Sequence, residues 1–390
     1  MIEASGGNLL QAKLSYGMIG GGPGSFIGDV HRKAAAFDGN CMLVAGCFSN
    51  SYENTLQTGQ SLGISEDRLY ENVYMMAHAE AARPDGIKFV SITSPNYNHY
   101  DAAKAFLEHG IHVVCEKPLV FEIAQAEELI ALAKAKDLLF CVMYSYSGSP
   151  MMREAREIVR SGKIGTVLTV VGEYAQGWLA QALEKSDQKQ ASWRTDPSIA
   201  GISNCIGDIG SHIEHTVSFI TGLKIKRLCA RLETIGLDRL LDTNASVLLE
   251  YENGASGNYW ASQIAIGCDN RLVVRIYGTK GAIEWYQEDG NYLKVTYLDQ
   301  PTQIFSRGNG YLSPAAANRI PSGHPEGYYE AFANVYNQFT LALNKKIAGQ
   351  TLTAADLDFP DGDAGLDGVK FINACVESSK QDASWVHLGL

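Results

Sequence analysis

Three side chains in this sequence have the types needed to move a proton to or from a hydroxyl group. Lys117 closes the apolar stretch 111–115, and Pro118 behind it restricts the backbone. Further along, Asp208 and His212 lie four residues apart, on one face if the segment is helical. Lysine can steady a developing alkoxide, histidine titrates near neutrality and can act as a base, and aspartate can orient it. Beside a nicotinamide, such a set moves the proton while the cofactor moves the hydride, so the pattern favours an oxidoreductase.

Each of these residues also has an ordinary explanation when it is considered alone. Asp208 at a helix start would be an N-cap, and both roles can hold at once. His212 alone would be a packed or solvated histidine, and Lys117 alone a surface lysine. We favour catalysis because the three occur together.

The first part of the chain carries the pattern that would hold a cofactor. Between residues 14 and 143, short apolar runs alternate with helical patterns. Strands are predicted at 14–19, 42–48, 87–93, 111–116 and 138–144, and helices through 31–37, 99–109 and 124–135. Alternating βαβ units predict an α/β fold with a parallel, doubly wound Rossmann sheet, which holds its ligands outside the carboxyl ends of the strands.

After Pro150 the pattern changes to long strands joined by hairpins. Asn253-Gly254 separates two alternating runs, 246–251 and 255–263, which is a strong hairpin signal. A second pair, 271–277 and 282–286, flanks another glycine-containing turn. The sequence therefore predicts two domains. Residues 1–143 would form a NAD(P)-binding Rossmann domain, and 144–390 a C-terminal α+β domain with a large open mixed or antiparallel sheet, closed by helices at 328–344 and 367–378.

The glycine-rich turn after the first predicted strand is the expected pyrophosphate site. Gly20-x-Gly22 supplies a tight turn with close backbone approach, and the helix that follows attracts the charge. The third glycine of the usual fingerprint is replaced by Ser25, and Gly28 can take its role after an insertion of three residues. The turn residues expected at the cofactor are Gly20, Gly22, Ser25, Phe26 and Ile27.

The second predicted strand lacks the acidic residue that would hold the ribose hydroxyls. Ser49 is the best polar candidate there, and no arginine follows at once to bind an extra phosphate. The sequence therefore favours NAD, with NADP not excluded.

Composition excludes several other functions. The net charge is −11 and no Lys/Arg-rich run occurs, so neither nucleic acid nor an anionic membrane is an expected partner. The eight cysteines are scattered without a C-x-x-C pair, as in a reduced protein. Neither a secretory signal nor an apolar run of membrane-spanning length is visible. These features predict a cytoplasmic protein.

The motifs together resemble the Gfo/Idh/MocA family, named for glucose–fructose oxidoreductase, inositol dehydrogenase and a rhizopine catabolism protein. The resemblance spans nearly the whole chain. It rests on the glycine-rich turn, Ser94-Pro95-Asn96 with His99, Glu116-Lys117-Pro118, and Asp208-x-Gly210-x-His212.

That resemblance implies a Rossmann domain, an open-sheet C-terminal domain, and NAD(P)-dependent oxidation or reduction of sugars and cyclitols. It places the catalytic lysine at Lys117 and the catalytic acid and histidine at Asp208 and His212. Ser94, Pro95, Asn96, His99 and Glu116 are expected near the cofactor. This chain departs from the family at the glycine insertion, the missing ribose acid, and His215, where many members carry an aspartate. These departures bear on cofactor preference and substrate, not on the reaction type.

Further residues are candidates for shaping the site. Trp193 could stack on a ring and Arg194 could contact cofactor or substrate, although a surface loop explains this segment equally well. His215 can share a helical face with His212, and Tyr146 follows the fifth predicted strand. His324 can hydrogen-bond a substrate hydroxyl, with a capping role the slightly better explanation. Asp208, His212 and His215 lack a further ligand at zinc-like spacing, so no metal is expected.

The sequence thus predicts a dehydrogenase that oxidises a secondary ring hydroxyl of a sugar, glycoside, anhydrosugar or inositol. The alternative is a glycoside hydrolase or lyase that uses tightly bound NAD transiently through a keto-sugar. A non-catalytic cofactor sensor is a third class, which the joint presence of Lys117 and His212 disfavours. An open sheet needs a partner over its exposed face, so a homodimer or homotetramer is expected.

Overall fold

Two units of structure make up the chain in the computed structural model, which describes residues 13–185, 194, 196–236 and 238–388. The first, called here the Rossmann unit, combines residues 13–148 with 328–366. The second, called the sheet unit, comprises residues 149–327 and the chain from Asp367 onward.

Helices and strands alternate through the first half of the chain and separate in the second. The helices are α1 Phe26–Ala36, α2 Tyr52–Ser61, α3 Val73–Ala82, α4 His99–Glu108, α5 Ile123–Ala135, α6 Pro150–Arg160, α7 Pro197–Ala200, α8 Ser211–Thr221, α9 Tyr328–Ile347 and α10 Gly362–Lys380. The strands are β1 Leu14–Ile19, β2 Cys41–Cys47, β3 Phe89–Ile92, β4 His112–Cys115, β5 Phe140–Val142, β6 Val167–Ala175, β7 Ile225–Glu233, β8 Asn244–Tyr251, β9 Ser256–Ser262, β10 Arg271–Gly278, β11 Gly281–Tyr286, β12 Tyr292–Tyr297, β13 Gln303–Ser306 and β14 Val386–His387. Among the described residues, no helix has the combination of length and apolar character that crossing a bilayer requires.

The Rossmann unit is built on a five-stranded parallel sheet of order β2-β1-β3-β4-β5. The strand order reverses between β1 and β3, which is the topological switch point where such sheets bind ligands. The glycine-rich turn follows β1, Ser94 follows β3, and Lys117 follows β4. The predicted α/β class and parallel sheet are confirmed, and the cofactor candidates lie at the expected edge.

Helix α9 packs into the core of the Rossmann unit. Its Phe332, Tyr336 and Phe339 are buried, and the ring of Phe339 lies edge-on to that of Phe89 on β3, with centroids 5.3 Å apart. The observed grouping therefore differs from the predicted division at 143/144. Residues 328–366 join the first unit because the apolar face of α9 completes its core.

The sheet unit contains nine strands in the order β13-β12-β11-β10-β6-β9-β8-β7-β14. β6 and β9 pair in parallel, and the other neighbours are antiparallel. Gly254, with a φ of +85°, forms the turn between β8 and β9 as the Asn-Gly pair predicts. The predicted mixed open sheet is confirmed.

The segment that carries Asp208 and His212 is helical, but it is not a regular α-helix from its start. Residues Ile206–Gly210 form a π-helical turn, and regular helix α8 starts only at Ser211. The backbone N–H groups of Asn204 and Ile206 donate to the carboxylate of Asp242 at 2.9 Å each. This anchor precedes the turn, and such π turns are frequent at functional sites.

Candidate active site

The glycine-rich turn after β1 approaches two other strand ends so closely that only glycine fits. Gly20 has a φ of +79°, and a Cβ there would lie 2.7 Å from the backbone nitrogen of Ser94. A Cβ on Gly22 would lie 2.7 Å from the carbonyl oxygen of Phe48. Bare backbone in this position is what a dinucleotide pyrophosphate requires, so the turn fits the cofactor that the sequence predicts.

The start of α1 is formed by Ser25 and Gly28. Ser25 is the N-cap, and its Oγ accepts a hydrogen bond from the N–H of Gly28 at 3.2 Å. A Cβ on Gly28 would lie 2.3 Å from the Cα of Gly21, so glycine lets the helix pack against the turn. Gly28 thus has the packing role of the third fingerprint glycine. Phe26, which is 61% exposed, and Ile27 open the helix at its positive end.

The end of β2 forms a neutral polar corner. Ser49 Oγ accepts a hydrogen bond from the N–H of Ser51 at 3.2 Å, and Asn50 Nδ2 donates to the hydroxyl of Tyr97 at 2.9 Å. Residues 48–52 contain neither a carboxylate nor a cation. This corner therefore lacks both the acid that selects ribose hydroxyls and the arginine that selects a 2′-phosphate.

His99 connects the turns after β3 and β4. It is fully buried, with Nε2 2.9 Å from the carbonyl oxygen of Ser94 and Nδ1 2.9 Å from that of Pro118. Burial lowers the pKa of the His99 ring. Because both nitrogens face backbone carbonyls, His99 braces the turn of Ser94, Pro95 and Asn96 against the turn of Pro118. Its predicted cofactor contact remains a prediction.

The side chain of Glu116 fixes the backbone of Lys117. The Glu116 side chain is almost buried; its Oε2 accepts a hydrogen bond from the backbone N–H of Lys117 at 3.1 Å. Its Oε1 lies 2.7 Å from Nε2 of the buried His31. The Lys117–Pro118 peptide is cis, and the lysine side chain is half-buried. Glu116, predicted near the cofactor, thus has both carboxylate oxygens bonded within the Rossmann unit and supports the catalytic candidate.

Tyr146 lies in the 3₁₀ turn Ser145–Gly148 after β5 and is 7% exposed. The carbonyl of Gly148 accepts a hydrogen bond from Asn334 Nδ2 at 2.8 Å, which ties this turn to α9. The predicted substrate contact of Tyr146 remains a prediction.

Asp208, in the π turn, is held by two donors in the sheet unit. Arg194 Nε and Gln263 Nε2 each donate to Oδ2 at 3.0 Å. Both members of the Arg194–Asp208 pair are largely buried, with 22% and 16% of their side chains exposed. The structure thus brings the predicted Arg194 to Asp208, while Trp193 lies outside the described residues.

Sequence reasoning missed the residues behind Asp208. Gln263 Oε1 accepts a hydrogen bond from Asn204 Nδ2 at 2.6 Å, and the same Nδ2 donates to the carbonyl of Asp242 at 3.1 Å. All three residues are buried, and burial raises the pKa of the Asp242 carboxyl. No sequence signal links them, because amides far apart in the chain form no motif until the sheet brings them together.

His212 lies in the first turn of α8, four residues after Asp208. Its ring centroid is 6.0 Å from that of Tyr174 on β6, at an interplanar angle of 49°. His215, one turn on, is 5% exposed and stacks on Phe219 with centroids 6.1 Å apart. Burial lowers the pKa of His215 to about 3, so this ring is neutral at physiological pH. His212 and His215 belong to the sheet unit, whereas Lys117 belongs to the Rossmann unit.

His324 lies on an exposed loop before α9. The loop is fastened by Arg307, whose guanidinium donates to the carboxylate of Glu326 at 2.9 Å and to the carbonyls of Ile320, Pro321 and His324. The imidazole of His324 is thus carried by a fixed backbone. Across the described part of the chain, no three His, Cys, Asp or Glu side chains cluster as metal ligands would.

Known proteins resemble the chain along its length. The protein-family model described as "Oxidoreductase family, NAD-binding Rossmann fold" matches residues 14–144, and the family model described as "GFO/IDH/MocA C-terminal domain" matches residues 152–284. An uncharacterized oxidoreductase of Bacillus subtilis (strain 168), YfiI, is 38% identical over 98% of both chains.

Two solved structures of an inositol dehydrogenase homologue from Azotobacter vinelandii are also similar. The complex with NAD+ has a TM-score of 0.94 at 36% identity and covers 99% of this chain and 100% of its own. The complex with NADH and myo-inositol has a TM-score of 0.89 at 35% identity and covers 96% and 97%.

Proposed function

Since the chain belongs to the Gfo/Idh/MocA family of NAD-binding oxidoreductases, we propose that it oxidises a secondary ring hydroxyl of a cyclitol or a sugar derivative. One observation carries the proposal: Asp208, in the π turn that precedes α8, is fixed by Arg194 and Gln263 four residues before His212 of α8. A carboxylate fixed in orientation and an imidazole four residues further along supply the groups that accept a proton from an alcohol. The substrate class is supported by the similarity to the homologue crystallised with myo-inositol.

In this proposal His212 takes the hydroxyl proton and Asp208 stabilises the imidazolium that forms. Lys117 donates to the substrate oxygen and stabilises its developing negative charge. Glu116 supports that step by holding the backbone of Lys117, so that the lysine extends from a fixed point. Tyr146 and His324 are assigned to substrate hydroxyls, and His215 supports the position of α8.

NAD fits the glycine cradle, and when bound its nicotinamide supplies the hydride acceptor. Gly20, Gly22 and the start of α1 would hold its pyrophosphate, with Ser49 at the adenosine ribose and Ser94, Pro95 and Asn96 beside β3. These assignments rest on the close backbone packing of the turn and on the neighbouring ends of β1 and β3.

We assign the outer face of the nine-stranded sheet to contact with a second copy of the chain. Leu248 is 51% exposed between the buried Val247 and Leu249, and Tyr277 and Ile304 are 40% and 62% exposed. Covering such residues favours association into a homodimer or homotetramer. Light scattering on wild type and Leu248→Lys tests this: a smaller assembly in the variant is expected, and a wild-type monomer would contradict it.

The catalytic proposal is tested by following NADH absorbance with purified protein, NAD or NADP, and a panel of myo-inositol, scyllo-inositol, monosaccharides, levoglucosan and glycosides. We expect NADH to accumulate with a cyclitol or sugar derivative. Lys117→Ala and His212→Ala should lower kcat by about 10²-fold or more while the dissociation constant of NAD changes little.

Matched controls are Lys88→Ala and His387→Ala, which remove exposed residues of the same types in the same two units. Wild-type turnover by either catalytic variant would refute its role. If NAD binds but no panel member yields NADH, product analysis on glycosides separates the hydrolase or lyase alternative, which consumes its substrate without net NADH.

A further inference from the structure

We propose that Gln263 is a positioning residue that fixes the Asp208 carboxylate, and that Asn204 and Asp242 set the direction of its hydrogen bond. The inference rests on the function proposed for Asp208. Gln263 is fully buried, and its Nε2 donates to Asp208 Oδ2 at 3.0 Å. Gln263 contacts Asp208 through its side-chain amide. It affects the reaction only by orienting the Asp208 carboxylate.

The backbone of Gln263 is fixed at the end of the sheet. Gln263 directly follows β9, its N–H donates to the carbonyl of Thr243 at 2.9 Å, and its carbonyl accepts from the N–H of Leu179 at 2.9 Å. A group mounted on a strand end with both backbone groups bonded positions its neighbour more tightly than a loop residue can.

The direction of the Gln263–Asp208 bond follows from the groups behind it. The Nδ2 of Asn204 donates to the carbonyl of Asp242, an acceptor that no protonation change can reverse at neutral pH. The same Nδ2 donates to Gln263, so Gln263 must present its oxygen to Asn204 and its NH₂ to Asp208. A flipped Gln263 amide would bring two donors together at Asn204 and two acceptors together at Asp208. The hydrogen bonds from Asp242 through Asn204 to Gln263 therefore present a donor to Asp208, which an ionised carboxylate requires.

Other charged and titratable groups surround Asp208 in the sheet unit. Arg194 supplies the positive charge, with its Nε 3.0 Å from Oδ2, and His212 follows on α8. Cys205 and Asp242 lie behind the π turn; both are buried, and burial raises the pKa of each. Gln263 thus adds a second donor to Asp208. Because this donor is uncharged, it orients the carboxylate without placing another positive charge beside it.

The test compares Gln263→Met and Gln263→Glu with wild type, using NAD and myo-inositol or the best substrate of the panel. Methionine has nearly the same length but cannot donate. We expect kcat to fall about tenfold to hundredfold, the range for losing a hydrogen bond to a charged group, while the dissociation constant of NAD changes by less than about twofold. Gln303→Met, on the exposed surface of β13, is the matched control and should match wild type.

The glutamate variant gives a readout that a purely structural role would not move. When protonated, the new carboxyl donates to Asp208 as the amide does; when ionised, it repels it. The ratio of variant to wild-type kcat should therefore rise as the pH is lowered. If Gln263→Met fails to fold, the pH dependence of Gln263→Glu still tests the positioning role, because glutamate keeps the shape of the glutamine side chain.

The proton state of Asp208 can be followed without a substrate. The protonated-carboxyl infrared band that disappears in Asp208→Asn is titrated in wild type and in both variants, and we expect its midpoint at higher pH in the variants. If wild type oxidises no panel member, the proposed function fails while this titration still judges Gln263. An unchanged midpoint, or a Gln263→Met enzyme with wild-type kcat and a flat Gln263→Glu ratio, would overturn the positioning role.

Discussion

Nε2 of His31 and Oε1 of Glu116 lie 2.7 Å apart in the interior of the Rossmann unit, joining helix α1 to the turn that carries Lys117. On its other side, Nδ1 of His31 is 2.7 Å from the hydroxyl of Tyr336 on α9. In the neutral histidine, Nε2–H donates to Glu116 and Nδ1 accepts from Tyr336. His31 thus connects α1 and α9 to Glu116, whose carboxylate fixes the backbone of Lys117.

Glu116→Ala is expected to lower both stability and turnover. The substitution leaves the buried His31 Nε2 without its partner and releases the N–H of Lys117, so the free energy of unfolding should fall by about 1–3 kcal/mol. Denaturant unfolding followed by fluorescence measures the loss, and NADH formation measures kcat. Glu127→Ala, on the exposed side of α5, is the control. Equal stability of the two variants would argue against the bracing role.

The fold was largely predictable because its two halves carry different periodicities. Apolar runs between helical patterns gave the parallel sheet, and Asn253-Gly254 gave a hairpin. The placement of α9 was not predictable: an amphipathic helix shows that it has a partner but not which core it completes. Its Tyr336 meets His31 across some 300 residues of sequence, and no local pattern encodes such a pairing.

The candidate site was predictable where motifs are local. The glycine-rich turn and the spacing of Asp208 and His212 are visible in the sequence, and the family resemblance they support is confirmed. The hydrogen-bonding environment was not visible. Gln263 and Asn204 are ordinary amides in the sequence and acquire a role only through strand pairing, and the helical pattern gave no sign of the π turn at 206–210.

Ser49→Asp should strengthen the preference for NAD over NADP. The end of β2 carries no charge at residues 48–52, and a carboxylate there accepts hydrogen bonds from both ribose hydroxyls but repels a 2′-phosphate. We expect the dissociation constant of NADP to rise about tenfold or more relative to that of NAD. Fluorescence titration with NADH and NADPH measures both constants. Gln57→Glu on the exposed side of α2 controls for added charge, and an equal shift in that variant would exclude a specific effect of position 49.

Glu214→Gln should remove a pH dependence of stability. Glu214 is buried on α8, and burial raises its pKa from 4.5 to about 8. The folded state therefore binds the proton more tightly than the unfolded state, and the stability that this provides is lost as pH rises from about 4.5 to about 8. The neutral amide has no proton to lose.

Denaturant unfolding at a series of pH values between these limits provides the measurement. The variant should gain stability relative to wild type as pH rises, with the difference levelling off above the folded-state pKa. His215 contributes with the opposite sign: its lowered pKa makes stability fall as pH drops below 6.5. Parallel curves for wild type and Glu214→Gln would contradict the assignment to Glu214.

Arg307→Lys should loosen the loop that carries His324. The guanidinium of Arg307 donates through Nε to Asn291 at 2.9 Å and through its other nitrogens to Glu326 and to three loop carbonyls. Lysine keeps the charge opposite Glu326 but cannot reach all of these acceptors from one fork. We expect a loss of about 1–3 kcal/mol in stability and faster proteolysis within residues 319–326.

The same variant tests whether His324 serves the substrate. If it does, the KM for the substrate should rise in both Arg307→Lys and His324→Ala, whereas the dissociation constant of NAD should stay unchanged. Arg271→Lys, on the exposed start of β10, controls for the change of residue type. If the loop is cleaved faster but KM is unaltered, substrate binding does not depend on the order of this loop. Arg307 and Glu326 would then have a structural role only.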